Sequence, residues 1–108
     1  MKRLALAALL SLSLGAFAQA DKTDFAIAIK DHKFSPDRIE VPAGKKVKLV
    51  VENQDATPEE FESHSMKVEK VIPGKSKATI FIGPLKAGEY KFVGEFNEKT
   101  AKGVIVAK

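Results

Sequence analysis

Apolar and polar residues alternate along much of the chain after residue 20. In residues 25–29 and 47–51, every second side chain is a large apolar one. Alternation with a period of two is typical of strands that bury one face. The pattern therefore predicts a sheet core in which nine residues are mostly buried: Phe25, Ile27, Ile29, Val47, Leu49, Ile80, Tyr90, Phe92 and Ile105.

Proline and glycine separate these short segments at four places, namely residues 35–36, 42–44, 73–74 and 83–84. Short strands at close spacing with such residues between them predict an antiparallel, all-β sandwich. We expect one half-buried strand to begin at Met66. No segment has the pattern of a helix of useful length, although residues 95–102 have room for one short turn.

The first twenty residues have a different pattern. Lys2 and Arg3 precede an apolar run over residues 4–17, and residues 18–20 have the form A-x-A. These three parts are typical of a secretory signal peptide, and the run is shorter than the roughly 20 apolar residues of a membrane span. We therefore expect residues 1–20 to be a signal peptide and residues 21–108 to be one exported domain.

Composition narrows the function classes. The 108 residues include no cysteine, so neither disulfides nor a cysteine nucleophile can form. The excess of 18 Lys and Arg over 14 Asp and Glu is dispersed and not interleaved with aromatic residues, which argues against nucleic-acid binding. There is no G-x-S-x-G motif or glycine-rich phosphate loop, so we expect no enzymatic activity.

Seven sequence blocks carry a family resemblance: residues 31–36, 39–44, 51–55, 57–63, 71–75, 83–86 and 88–92. F-x-P followed by V-P-A-G in the first two blocks resembles cupredoxins in general. T-P-E-E-F-E-S at 57–63 resembles the small periplasmic cupredoxin-like proteins that accompany ferrous-iron uptake permeases, and the related amino-terminal domain of periplasmic iron-uptake lipoproteins. The resemblance extends over about residues 25–106 and implies a cupredoxin-like Greek-key β-sandwich.

The chain departs from the copper-binding cupredoxins at the loop after residue 93. Those proteins have a cysteine, a histidine and often a methionine there, whereas this chain has Gly94, Asn97 and a stretch of lysine and threonine. Their first histidine ligand belongs to the region that Glu60 to His64 fills here. A blue-copper site needs a thiolate and two imidazoles. We therefore expect no blue-copper centre.

The candidate metal ligands are Glu60, Glu62, His64 and Met66, with His32 as a further candidate. If the acidic segment is extended, the first four project to one side. Carboxylate with imidazole suits iron, manganese or Cu(II), and a thioether shifts the preference towards Cu(I). The segment also has the composition of a solvated loop, with Met66 as a core residue.

Three further residues have roles that the sequence leaves open. His32 is either an edge-strand residue hydrogen-bonded to a carbonyl or a ligand from a neighbouring loop. Glu95 and Asn97 are candidate outer ligands.

The resemblance implies a periplasmic metal-binding accessory of an iron or copper uptake system. Its cofactor or cargo would be a copper or iron ion, and its partner an inner-membrane iron permease or a periplasmic metal-binding protein. We expect a monomer that is at most peripheral to the membrane. One alternative is copper-dependent electron transfer or ferrous-iron oxidation in the same system. Another is a metal-free domain that docks a partner.

The absence of cysteine generates a spectroscopic prediction. Adding Cu(II) to the protein should produce no intense blue absorption, because that band is a charge transfer from a thiolate to copper. Visible absorption spectroscopy during a Cu(II) titration measures it. An intense blue band would contradict the expectation.

Overall fold

The computed structural model describes residues 22–108, which form a two-sheet β-sandwich. The predicted signal peptide lies outside these residues. The strands are β1 (Asp24–Lys30), β2 (Lys33–Ser35), β3 (Arg38–Val41), β4 (Val47–Asn53), β5 (Glu59–Ser63), β6 (Val68–Ile72), β7 (Ser76–Ile82), β8 (Gly88–Gly94) and β9 (Lys102–Ala107). One turn of 3₁₀ helix (Glu95–Asn97) follows β8, within the segment where the sequence predicted a short turn.

The first sheet has the strand order β2-β1-β4-β7, and the second has the order β3-β9-β8-β5-β6. The all-β prediction is confirmed, but a purely antiparallel sandwich is wrong because β1 pairs with β4, and β3 with β9, in parallel. The chain leaves the first sheet after β2, adds β3 to the second, and returns as β4. Period-two alternation records which face is buried and contains no information about strand direction.

The core lies between the sheets and contains most of the predicted residues. Seven of the nine are buried: Ile27, Ile29, Val47, Leu49, Ile80, Phe92 and Ile105. Phe25 and Tyr90 are half-buried and pack against this core. Tyr90 keeps its hydroxyl near the surface, where it donates a hydrogen bond to the Lys86 carbonyl at 2.7 Å.

Three phenylalanine rings form the centre of the core. Phe92 stacks on Phe61 with 4.8 Å between the ring centroids, and Phe34 meets Phe92 edge-on at 4.9 Å. Gly103 faces this group, because a Cβ atom at position 103 would lie 2.2 Å from Cζ of Phe92. Close packing of the sheet against the Phe92 ring therefore requires a residue without a side chain on β9. Within residues 22–108, no helix is long and apolar enough to cross a membrane.

Asn53 joins the end of β4 to the second sheet. Its buried side-chain amide donates to the carbonyl oxygens of Thr57 at 2.8 Å and Ile72 at 3.0 Å, with a longer contact to Pro73. Its side-chain oxygen accepts the backbone N–H of Asp55 at 3.0 Å. One buried side chain thus fixes the loop that leads into β5 and the end of β6.

Replacing Asn53 should therefore be costly. We expect Asn53→Ala to lower the free energy of unfolding by at least about 2 kcal/mol, because buried backbone groups lose their partners. Urea unfolding measures the loss. Gln54→Ala removes an exposed amide from the next position and is the control, with an expected change within about 0.5 kcal/mol. Equal stability of the two variants would contradict the role of Asn53.

Candidate metal-binding site

Four glutamates meet on the outer face of the second sheet. Carboxylate oxygens of Glu60, Glu62, Glu69 and Glu95 all lie within 4.8 Å of one another. Strand register brings them together: Glu62 on β5 pairs with Glu69 on β6. Glu95 follows the last residue of β8 and so lies beside Glu60. We call these four residues the acidic cluster.

Burial and the closeness of the four carboxyl groups disfavour full ionisation of the acidic cluster. Glu60 and Glu62 are half-buried, whereas Glu69 and Glu95 are exposed. A hydrogen bond that protonated Glu60 donates to Glu95 raises the pKa of Glu60 to about 7, and desolvation and the neighbouring carboxylates add to the effect. Desolvation, followed by a hydrogen bond with Glu69, raises the pKa of Glu62. The site is thus an anionic group of oxygens in which protons and cations compete.

His64 reaches this cluster from a turn and not from the strand. The extended segment ends at Ser63, and Lys67 has a positive φ of 57° in the turn that follows. The His64 side chain is 92% exposed, with Nε2 3.8 Å from Oε1 of Glu62. His64 can therefore join a ligand set that contains Glu62, although it does not share the strand face.

Met66 lies in the turn between β5 and β6. The prediction that it lies on one extended face with Glu60 and Glu62 is wrong, because the chain turns between Ser63 and β6. Its backbone N–H is 3.3 Å from the Ser63 hydroxyl, and its side chain packs against the core. The predicted strand start at Met66 is wrong for the same reason, since β6 begins at Val68.

His32 lies in the turn between β1 and β2, outside the acidic cluster. Its Nδ1 is 3.5 Å from Oδ2 of Asp55, and that carboxylate also accepts the backbone N–H groups of His32 and Asp31. Hydrogen bonds from these amides, that of His32 foremost, lower the pKa of Asp55. The expected carbonyl partner of His32 is thus wrong, because its side chain faces the carboxylate of Asp55. Its expected edge-strand position is also wrong, because His32 lies in a turn.

The sequence interpretation missed Glu59, which is buried beneath the acidic cluster. Its Oε1 accepts the backbone N–H groups of Glu60 and Phe96, each at 2.9 Å. Its Oε2 accepts the side-chain amide of Asn97 at 2.8 Å. The signal was present in the alternation, because Glu59 has the same parity as Phe61 and Ser63, all three of which are buried.

The Glu59 carboxyl also decides whether a cupredoxin copper centre fits. Gly94 and Asn97 occupy the positions that the resemblance assigns to the copper-binding cysteine and histidine. A Cβ atom at Gly94 would lie 2.6 Å from Cδ of Glu59, so this carboxyl takes the space of any side chain there. An acceptor-only carboxylate and an amide replace the thiolate and imidazole of such a centre. These residues do not fit a thiolate-centred copper site.

Sequence comparisons place the chain among related domains. The profile of the cupredoxin-like domain family matches residues 2–107. An uncharacterized protein of Rickettsia prowazekii (strain Madrid E) is 45% identical over 80 residues, which are 74% of this chain and 64% of that protein. The chain thus spans less than two thirds of the length of this relative.

Solved structures resemble the sandwich at low sequence identity. Auracyanin from Roseiflexus castenholzii has a TM-score of 0.65 and 14% identity, covering 82% of this chain and 99% of its own. A purple cupredoxin from Nitrosopumilus maritimus has a TM-score of 0.59 and 19% identity, and the match covers 79% of this chain and 100% of the cupredoxin. The metal binding domain of the Cu(I) exporting P-type ATPase CopA of Streptococcus pneumoniae D39 has a TM-score of 0.67 and 15% identity. This match covers 79% of this chain and 84% of that domain. At these identities the likeness concerns the fold.

The raised pKa of Glu60 predicts how stability depends on pH. Between the ordinary value of 4.5 and about 7, the folded protein retains a proton that the unfolded chain has lost. The contribution of Glu60 to stability therefore falls as pH rises through this window. We expect Glu60→Gln to remove that part of the decline.

Thermal unfolding at a series of pH values, without added metal, tests this expectation. The melting temperature of Glu60→Gln should rise relative to the parent as pH increases from 4.5 to 7. Glu52→Gln changes an exposed carboxylate on the opposite sheet and should run parallel to the parent. A constant difference between Glu60→Gln and the parent across the window would contradict the assignment.

Proposed function

Because the chain belongs to the cupredoxin-like domain family, we propose that it binds a transition-metal ion at the acidic cluster and serves as a periplasmic accessory of an iron or copper uptake system. The ion is cargo that a permease or a partner metal-binding protein receives. The domain has no blue-copper centre and catalyses no reaction in this proposal.

The observation that carries the proposal is the convergence of four carboxylate oxygens within 4.8 Å. Oxygen ligands suit manganese and iron, and a nearby imidazole extends the range to Cu(II). A bound cation would offset the repulsion among the four residues, at the place where a hydrogen bond with Glu95, desolvation and neighbouring carboxylates raise the pKa of Glu60. The acidic cluster thus has both the donor atoms and the electrostatic demand for a cation.

The position of the acidic cluster suits exchange of cargo. Glu69 and Glu95 are exposed, so an ion can enter and leave without movement of the core. His64 stands at the rim, where its imidazole can reach an ion held by Glu62. We assign His64 as an auxiliary ligand and place neither Met66 nor His32 in the site.

Copper remains a candidate ion because of the fold's relatives. The three structural neighbours are an auracyanin, a purple cupredoxin and a Cu(I) metal binding domain. Electron transfer is the weaker proposal, since the Glu59 carboxyl fills the space beside Gly94 that a thiolate ligand would need. The arrangement favours holding and passing on an ion.

Metal titrations of single variants test the site. We expect Glu60→Gln and Glu62→Gln to weaken Mn²⁺ and Cu²⁺ binding at least about tenfold, since even the loss of an outer-shell partner commonly costs 10–100-fold. His64→Ala should weaken Cu²⁺ binding more than His32→Ala does, because the imidazole of His64 lies 3.8 Å from Glu62, whereas that of His32 faces Asp55. Isothermal titration calorimetry measures these affinities. Binding should also weaken as pH falls, because protons compete for the ligands.

Glu52→Gln is the matched control for the loss of one negative charge, and it should bind metal like the parent. If every glutamate variant also binds like the parent, the acidic cluster is not the site. If the parent binds neither ion, the metal-handling proposal is wrong and a metal-free docking domain is preferred.

A further inference from the structure

We propose that Glu59 is the positioning residue of the acidic cluster: its buried carboxylate sets the spacing between Glu60 on β5 and Glu95 after β8. This inference rests on the proposed function, because it assigns a second layer to the same site. Glu59 itself lies on the inner face of the sheet and is not a metal ligand.

The pairing between β5 and β8 ends at Gly94, one residue before Glu95. The register of this pair includes Phe61 with Gly94 and Glu62 with Val93, and the chain enters a 3₁₀ turn at Glu95. The N-cap residue of that turn is Gly94, which has no side chain to accept a hydrogen bond from the first N–H groups of the turn. The register therefore brings Glu95 next to Glu60, but the paired residues end before Glu95 and the 3₁₀ turn needs a further contact to stay there.

Oxygen Oε1 of Glu59 connects β5 to the 3₁₀ turn. It accepts the N–H of Glu60 on one side and the N–H of Phe96 on the other, each at 2.9 Å. The first amide belongs to one member of the acidic cluster, and the second directly follows the other. One atom thus ties together the two backbone segments whose side chains share a hydrogen bond.

The remaining contacts fix the orientation of the Glu59 carboxylate. Asn97 donates to Oε2 at 2.8 Å, and its own carbonyl accepts the N–H of Ala101 at 2.8 Å, which closes the loop. A Cβ at Gly94 would collide with both the Glu59 carboxyl and the Ala101 side chain. Three donors meet an acceptor-only group, so the match depends on a carboxylate and not merely on a buried side chain.

An exchange of the two partners tests the inference. Glu59→Gln introduces an amide whose N–H₂ must face either the two backbone N–H groups or the amide of Asn97. The double variant Glu59→Gln/Asn97→Asp exchanges amide and carboxylate, so every donor again faces an acceptor and the total charge is unchanged. Affinity for Mn²⁺, or for Cu²⁺ if Mn²⁺ does not bind the parent, is measured by calorimetry at a temperature where each variant is folded.

We expect Glu59→Gln to weaken binding about 10-fold or more, as for other groups that orient metal ligands. The double variant should recover most of this loss. Ile27→Val, which removes a buried methyl group from β1 in the first sheet, is the control and should bind like the parent. If Glu59→Gln binds like the parent, or the double variant shows no recovery, the inference is wrong while the proposed function stands.

A second measurement needs no metal. NMR should show faster amide hydrogen exchange at Phe96 and weaker nuclear Overhauser contacts between Glu60 and Glu95 in Glu59→Gln, and recovery in the double variant. If the parent binds no metal, the proposed function fails, and unchanged NMR contacts would then overturn the spacing role of Glu59 as well. If Glu59→Gln does not fold, Asn97→Ala is measured instead. The same NMR observables apply, namely amide exchange at Phe96 and the contacts between Glu60 and Glu95, and an unchanged result would contradict the inference.

Discussion

The placement of β5 is the constraint on which the rest of the site depends. This strand lies between β8 and β6 and shows alternating residues to two different environments. Its inward residues include Phe61, which stacks on Phe92, and its outward residues are Glu60 and Glu62. A shift of one residue would bring both outward carboxylates into the core and expose Phe61. The packing of one aromatic ring thus holds the carboxylates at the surface.

Parity along β5 was enough to predict part of this site. Glu60 and Glu62 share a face because alternate residues of a strand always do. Glu69 was not predicted, because its approach depends on which strands pair and in which register. Glu95 is a candidate outer ligand from the sequence, but the turn that contains it is held by a hydrogen bond that the Phe96 N–H donates to Glu59, a residue distant in sequence. Sequence periodicity describes one strand, whereas the cluster is assembled from three segments.

The wrong predictions have identifiable causes. His64 and Met66 were assigned to a continuing strand, but the chain turns there and Lys67 adopts a positive φ. Glu59 was overlooked because a charged residue at an inward position is uncommon. Its neighbours resolve the apparent conflict, since three hydrogen-bond donors surround the buried carboxylate. The alternation of β5 indicates an inward position for Glu59, whereas two of the three donors that satisfy its carboxylate come from the folded loop after β8.

The exposed flank of β6 gives Glu69 a second consequence. This strand ends the second sheet, so one side of its backbone has no neighbouring strand in that sheet, and such a strand can recruit another chain. Charged side chains oppose this kind of self-association. Glu69 and Lys70 lie on β6 next to Val71, an apolar residue that is 49% exposed. A cation bound at the acidic cluster would neutralise the charge of Glu69, one of these two charged residues. If the protein carries a metal ion as proposed, its tendency to self-associate would depend on whether that ion is bound.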